Sequence, residues 1–280
     1  MIKKHLACLL LLLAFAQITK AQCIEKNIAF QEGEKLTYRG YYNWGFIWVA
    51  AGEVELSVQQ SHYQNKEAFH FYGKGKNVSA FDWFFKLRDT LSCYANRETL
   101  APFYFDRRTN EAKYHAHHEY WFSSNKKEIY SRIQKKSKPV LFDTIANKPC
   151  TFDILSIAYY VRNLDFSKYK KGTKIPISML VDNEIHALYI RYLGLETIKT
   201  KSGEWFECLK FSPLLVEGTM FKGGEDMTVW LSNDDNRIPI MVEAKVLVGS
   251  VKGILDSYEG LRNTKNSFFK KKSGKVEITE

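Results

Sequence analysis

Alternation of apolar and polar residues along the chain predicts β-strands. In residues 53–59 every second side chain is apolar, which is the two-residue period of a strand with one solvent-facing side. Residues 240–248 repeat the same pattern. Eleven further segments are predicted strands by composition and length: 36–42, 68–73, 90–94, 103–107, 113–122, 129–133, 175–181, 185–197, 205–211, 227–231 and 251–258.

Short polar turns separate many of these strands, for example at Asn65-Lys66 and Asp182-Asn183. Many short strands joined by hairpin-length loops indicate one large antiparallel sheet, curled into a barrel-like or half-barrel domain. No strand-helix alternation is present, and this argues against a doubly wound nucleotide-binding fold.

One segment departs from the strand pattern. Residues 151–162 begin with a Thr or Asp suited to an N-cap and are apolar on nearly every side. They predict a single packed α-helix over about 151–163. A second, weaker helical turn is predicted over 78–85.

The N-terminus has the pattern of a secretory signal peptide. Lys3 and Lys4 precede an apolar run over 6–16, and Thr19 and Ala21 are the small residues before a predicted cleavage at Gln22. We therefore expect export to the periplasm or cell envelope, with no transmembrane segment in the mature chain. The predicted organisation is a signal peptide (1–21), one β-rich domain (22–261) and a basic, flexible tail (262–280).

The formal net charge of +10 does not indicate nucleic-acid binding. The predicted signal peptide holds three lysines and no acids, and the tail from Arg262 onward carries six bases against two acids. Most of the charge of the mature chain is therefore in its tail, and the β-rich body is only weakly basic.

The mature chain holds four cysteines, and an even number in an oxidising compartment predicts at least one disulfide. Three pairings are possible, and the sequence does not choose among them. No pair has the CxxC spacing of a redox or zinc site. The four residues are Cys23, Cys93, Cys150 and Cys208.

A histidine-rich run offers the most obvious metal ligands. On a strand, His115, His117 and Glu119 project to one face, and zinc accepts both residue types. Neighbours on one face lie about 7 Å apart, however, so three consecutive positions do not close on one ion. The sequence therefore favours a polar strand without a metal.

Ser156 lacks a GxSxG context, so no catalytic residue and no cofactor are predicted.

Several dispersed segments follow one another in an order that is typical of one protein family: GEKLTY (33–38), GFI (45–47), AGEV (51–54), DILSIAYYVR (153–162), LGLET (193–197), GEWFEC (203–208), WLSND (230–234), RIP (237–239) and VGSV (248–251). In this the chain resembles the domain of unknown function 3108 family of exported bacterial proteins, over residues 30–261. The resemblance implies a single β-rich envelope domain and no particular reaction.

These observations predict a non-catalytic binding or structural protein of the cell envelope. Its expected partner is an amphiphilic component, such as a lipid or glycan, or another envelope protein. The alternative is a metal-dependent envelope hydrolase that uses His115 and His117. The six tryptophans either pack in the core or stack on such a ligand.

Overall fold

A computed structural model describes residues 26–44, 47–83, 86–123, 125, 127–201, 203–217, 223–246, 249–263, 268–272 and 275–278. The predicted signal peptide and Cys23 lie outside these residues. Within them, seventeen strands form one sheet. The strands are β1 (Lys35–Trp44), β2 (Ile47–Tyr63), β3 (Lys66–Asn77), β4 (Arg88–Asn96), β5 (Pro102–Glu111), β6 (Tyr114–Phe122), β7 (Glu128–Lys135), β8 (Leu141–Ala146), β9 (Thr151–Phe152), β10 (Lys174–Val181), β11 (Glu184–Lys199), β12 (Trp205–Pro213), β13 (Met227–Ser232), β14 (Pro239–Lys245), β15 (Ser250–Glu259), β16 (Phe268–Lys272) and β17 (Lys275–Ile278).

Antiparallel pairing between chain neighbours builds the sheet in two runs. One run extends from β1 to β8, and the other from β10 to β15. Strand β15 returns to pair with β1 and joins the two runs, while the short β9 adds to β10 in parallel. Strands β8 and β9 end this series, and no pairing joins them in the described residues. The predicted half-barrel of mainly antiparallel strands is confirmed.

The helix α1 (Ile154–Val161) is shorter than predicted, because Thr151 and Phe152 belong to β9. Asp153 is the N-cap and accepts hydrogen bonds from the backbone nitrogens of Leu155 and Ser156 at 2.8 and 2.9 Å. The Ser156 hydroxyl completes a capping box, since it accepts from the Asp153 backbone nitrogen at 3.1 Å. The second predicted helical turn is a 3₁₀ turn over Ser79–Phe81. No helix in the described part of the chain has the length and apolar character needed to cross a membrane.

The main core lies between α1 and the inner face of the sheet. The rings of Phe71 on β3 and Tyr159 on α1 stack at 4.1 Å, and Phe30 packs edge-on against both. A second cluster around Leu36, Phe206 and Ile240 joins β1, β12 and β14. Each large side chain buried in this way contributes about 1.5–3 kcal/mol.

Two features narrow the expectations about the chain. In the described part of the tail, β16 and β17 form a hairpin, and β16 pairs with Trp205 and Phe206 of β12. Cys93 and Cys208 are free, buried thiols and are not disulfide partners. Cys93 on β4 and Cys208 on β12 lie in two separate core clusters, and for this reason they do not pair with each other.

Candidate functional site

The register of β5 and β6 brings three potential ligands together on the outer face of the sheet, opposite α1. Asp106 lies directly across from Glu119, and Arg108 lies across from His117. The His117 Nε2 atom is 2.5 Å from Asp106 Oδ2, and its Nδ1 atom is 3.8 Å from Glu119 Oε2. One ligand atom from each of Asp106, His117 and Glu119 lies within 4.8 Å of the others.

The histidine run therefore divides among three environments. His117 and Glu119, two of the three candidate ligands named from the sequence, lie in the cluster, whereas His115 is exposed and its Nδ1 atom lies 3.1 Å from Asn110 Oδ1. His118 points to the inner face and is buried. The third member of the cluster is Asp106 and not the candidate His115, because a residue on the neighbouring strand lies closer to His117 than the next same-face residue of β6.

Arginines already neutralise the two carboxylates. Arg132 donates to Glu119 at 2.7 Å, and Arg108 donates to Asp106 at 3.2 Å. The Tyr104 hydroxyl donates to Glu119 at 2.9 Å and to Asp106 at 3.3 Å. Burial, together with these two carboxylates, raises the pKa of Tyr104 well above its usual value. The cluster is thus a hydrogen-bonded network, and a cation would compete with two guanidinium groups for its oxygens.

Aromatic rings continue from this network across the outer face. The rings of Tyr104 and Trp121 lie 5.5 Å apart, and Tyr94 lies 6.4 Å from Tyr104. His70 stacks on Tyr94 at 4.5 Å, and burial lowers the pKa of His70. Burial therefore favours the neutral form of His70 in this stack.

The series of aromatic rings from His70 to Trp121 ends in an open groove of about 490 Å³ beside the edge strand β8. Phe142 is 75% exposed and Tyr130 is 46% exposed, so their rings are available to a ligand. The groove combines aromatic and polar side chains, which is the composition of small-molecule sites. Its lining residues are Trp121, Tyr130, Ser131, Phe142, Asp143 and Thr144.

Trp121 is one of the six tryptophans for which the sequence left both core packing and ligand stacking open, and no sequence pattern singled out the residues around it. Tyr104, Asp106 and Arg132 have ordinary strand spacing, and only the pairing of β5, β6 and β7 places them beside Glu119. The alternation of Tyr104, Asp106 and Arg108 on β5 was the available signal, since it marks a polar strand face.

Ser156 has a structural role. Its hydroxyl donates to Asp153 Oδ2 at 2.7 Å, and both side chains are buried at the start of α1. The Cys93 thiol also donates to Asp153, at 3.1 Å. Burial and the adjacent Asp153 raise the pKa of Cys93 well above its ordinary value, so this thiol is a poor nucleophile.

The half-barrel sheet, with one helix on its inner face, places the protein among β-barrel-like proteins. A solved structure with this fold is the beta-barrel-like protein of domain of unknown function DUF1849 from Brucella abortus, with a TM-score of 0.53 and 8% sequence identity. The match covers 81% of this chain and 96% of that one. At this identity the likeness concerns the fold alone.

The family described as "Protein of unknown function (DUF3108)" matches residues 37–256. The chain therefore belongs to the DUF3108 family, and the resemblance drawn from the sequence is confirmed. A comparison with curated proteins gave no match.

Proposed function

We propose that this is a non-catalytic binding protein of the cell envelope and that its outer groove holds an amphiphile with a sugar headgroup. The observation that carries this proposal is the exposed aromatic pair Tyr130 and Phe142 beside Trp121. Aromatic faces of this kind bind apolar tails and the apolar faces of sugar rings.

The polar network next to the groove supplies the complementary chemistry. Glu119 and Arg132 lie on the same sheet face as Trp121 and offer charge-assisted hydrogen bonds to hydroxyl groups. Glu119 and Arg132 are partly exposed, so bringing a ligand beside them requires no large rearrangement. Aromatic anchors with a few polar groups give both affinity and orientation.

The test uses dodecyl maltoside below its micelle concentration as the probe, with titration calorimetry. We expect saturable binding that weakens about tenfold in Phe142→Ala, because a large aromatic contact is lost. Leu195→Ala is the matched control, since Leu195 is 55% exposed on β11, outside the groove. An absence of binding, or equal affinity in Phe142→Ala and the parent, would contradict the proposal.

Export remains part of this proposal. Lys3 and Lys4, the apolar run that follows them and Ala21 support a signal peptide cleaved before Gln22. Intact mass of the protein recovered from a periplasmic fraction should correspond to residues 22–280. A mass that includes residues 1–21, or recovery only from the cytoplasm, would contradict export.

A metal-dependent hydrolase is the alternative, and the Asp106, His117 and Glu119 cluster favours it. Elemental analysis of untagged protein tests it with a matched pair of variants. A hydrolase requires near one zinc per chain, retained in His115→Ala and lost in His117→Ala, because only His117 lies in the cluster. We expect no stoichiometric metal in any of the three proteins.

A further inference from the structure

Exposed apolar side chains lie in or directly beside three connections between strands. Ile47, at the start of β2, is 67% exposed, and Trp83, between β3 and β4, is 85% exposed. Val78 in the same connection and Tyr114 after the β5–β6 turn are 39% and 45% exposed. Large apolar groups gathered in the solvent-facing loops of one region mark an interaction surface.

Backbone hydrogen bonds place these connections at one end of the sheet. The Val78 nitrogen donates to the carbonyl of Ala51 at 3.0 Å, which joins the β3–β4 connection to β2 four residues from Ile47. The Ala112 nitrogen donates to Lys86 at 2.7 Å, which joins the same connection to the β5–β6 turn. We call the exposed residues of this end the tip surface: Ile47, Val78, Trp83, Lys86, Lys113 and Tyr114.

The connection that carries Trp83 is held at its base. Arg88 forms an ion pair with Asp82 at 2.8 Å and donates to Asn77 Oδ1 at 2.6 Å. The Leu87 nitrogen also donates to Asn77 Oδ1, at 2.9 Å. These contacts hold Asp82, which precedes Trp83, and Leu87 to the end of β3.

The charges of the tip surface are positive. Lys86 and Lys113 are exposed. Three carboxylates at this end are paired with cations: Asp82 with Arg88, Glu53 with Lys76 at 3.1 Å, and Glu243 with Lys252 at 2.9 Å. Burial and the neighbouring Asp89 raise the pKa of Glu111 to about 7, so Glu111 and Asp89 together carry less negative charge near neutral pH than two separate carboxylates would.

We propose that the tip surface docks onto an anionic lipid bilayer. Trp83 and Ile47 enter the headgroup region, where indole rings and apolar side chains are favoured. Lys86 and Lys113 contact the anionic headgroups, and each such cation near the surface strengthens binding. Exposed cations beside exposed apolar residues match an anionic membrane in both charge and polarity.

This docking surface is separate from the proposed ligand groove. Tyr114 begins β6, and Trp121 lies seven residues further along the same strand. The strand rise separates the two positions by roughly 23 Å. A bilayer bound at the tip surface therefore leaves the groove exposed, and each site can be tested without the other.

The test is co-sedimentation with lipid vesicles. The protein is expressed from the full-length sequence, and its N-terminus is checked by mass spectrometry. One set contains equal amounts of phosphatidylglycerol and phosphatidylethanolamine, and the other contains phosphatidylcholine alone. We expect binding to the anionic vesicles, reduced at least about tenfold in Ile47→Ser/Trp83→Ser, because burial of one large side chain already corresponds to about this factor. Lys86→Glu/Lys113→Glu should reduce binding to the anionic vesicles and not to phosphatidylcholine.

The matched control is Ile28→Ser/Leu195→Ser, which removes two apolar side chains that are 47% and 55% exposed and lie outside both the tip surface and the groove. This control should bind anionic vesicles like the parent. The melting temperature and circular dichroism spectrum of each variant check that it is folded. Equal loss in the control and the Ile47/Trp83 variant would show nonspecific adhesion and overturn the proposal. No vesicle binding by the parent would also overturn it, whatever the result for dodecyl maltoside.

Discussion

The guanidinium of Arg162 and the carboxylate of Glu34, 128 positions apart in the chain, form a bidentate ion pair in the protein interior. The two N–O distances are 2.6 and 2.7 Å, and the side chains are almost wholly inaccessible to solvent. Arg162 also donates to the Asn236 carbonyl and lies over the Phe30 ring. The pair thus joins the segment before β1, the end of α1 and the turn between β13 and β14.

Breaking this ion pair should be strongly destabilising. Arg162→Met leaves the Glu34 carboxylate buried without its partner, and we expect a loss of about 3–5 kcal/mol in the free energy of unfolding. Urea unfolding measures it. Arg39→Met is the matched control, because its pair with Asp256 is about half exposed and is worth less than about 1 kcal/mol. Equal losses in the two variants would contradict this account.

Stability should fall in acid through His118. Burial, with a smaller contribution from Arg107, lowers the pKa of His118 to about 4. The unfolded imidazole titrates near 6.5, so the unfolded chain binds the additional proton between these values. The stabilisation is complete above about pH 6.5 and is lost as the pH falls toward 4, a change of up to about 3 kcal/mol.

The measurement is the free energy of unfolding at several pH values between 4 and 7. His118→Gln keeps a polar side chain that does not titrate, so its stability should depend less on pH in this range. If the free energy of unfolding of His118→Gln depends on pH as steeply as that of the parent, the acid sensitivity arises from other groups.

The remaining mature cysteines should form the predicted disulfide. Because Cys93 and Cys208 are free and buried, a bridge among the four cysteines that follow the predicted signal peptide would pair Cys150 with Cys23. Peptide mapping without reduction should find this linkage, and Cys93 and Cys208 should react with alkylating reagents only after unfolding. The bridge would stabilise the protein by about 2–4 kcal/mol. A linked peptide containing Cys93 or Cys208 would contradict the assignment.

The residues after Asn263 should be dispensable for folding, whereas Arg262 and Asn263 should not. Removal of 264–280 eliminates two residue pairs with β12, and the melting temperature should fall by less than about 5 °C. Removal of 262–280 also eliminates the Arg262 bond to the Asn27 carbonyl at 3.0 Å and the Asn263 bond to Asn236 at 2.8 Å. This longer truncation should lower the melting temperature further. Equal effects would show that the β16–β17 hairpin is the anchoring element.

The local features of the fold were predictable from the chain itself. Strand alternation, polar hairpin turns and the cap at Asp153 depend on neighbours a few positions away, and all of them are present in the structure. The family resemblance likewise depends on ordered segments of sequence. These properties follow from short-range steric preferences and from the period of each element.

The candidate site required the tertiary structure. Asp106, Arg132 and Tyr104 reach His117 and Glu119 only through the register of three adjacent strands, which no local pattern specifies. The same is true of Glu34 and Arg162, and of the cysteines that remain free. The sequence determined most of the strands and which of their faces are apolar, but its pattern did not predict β8, β9, β16 and β17. Only the packed sheet decided which distant side chains meet, because register and burial arise from the collective packing of the whole chain.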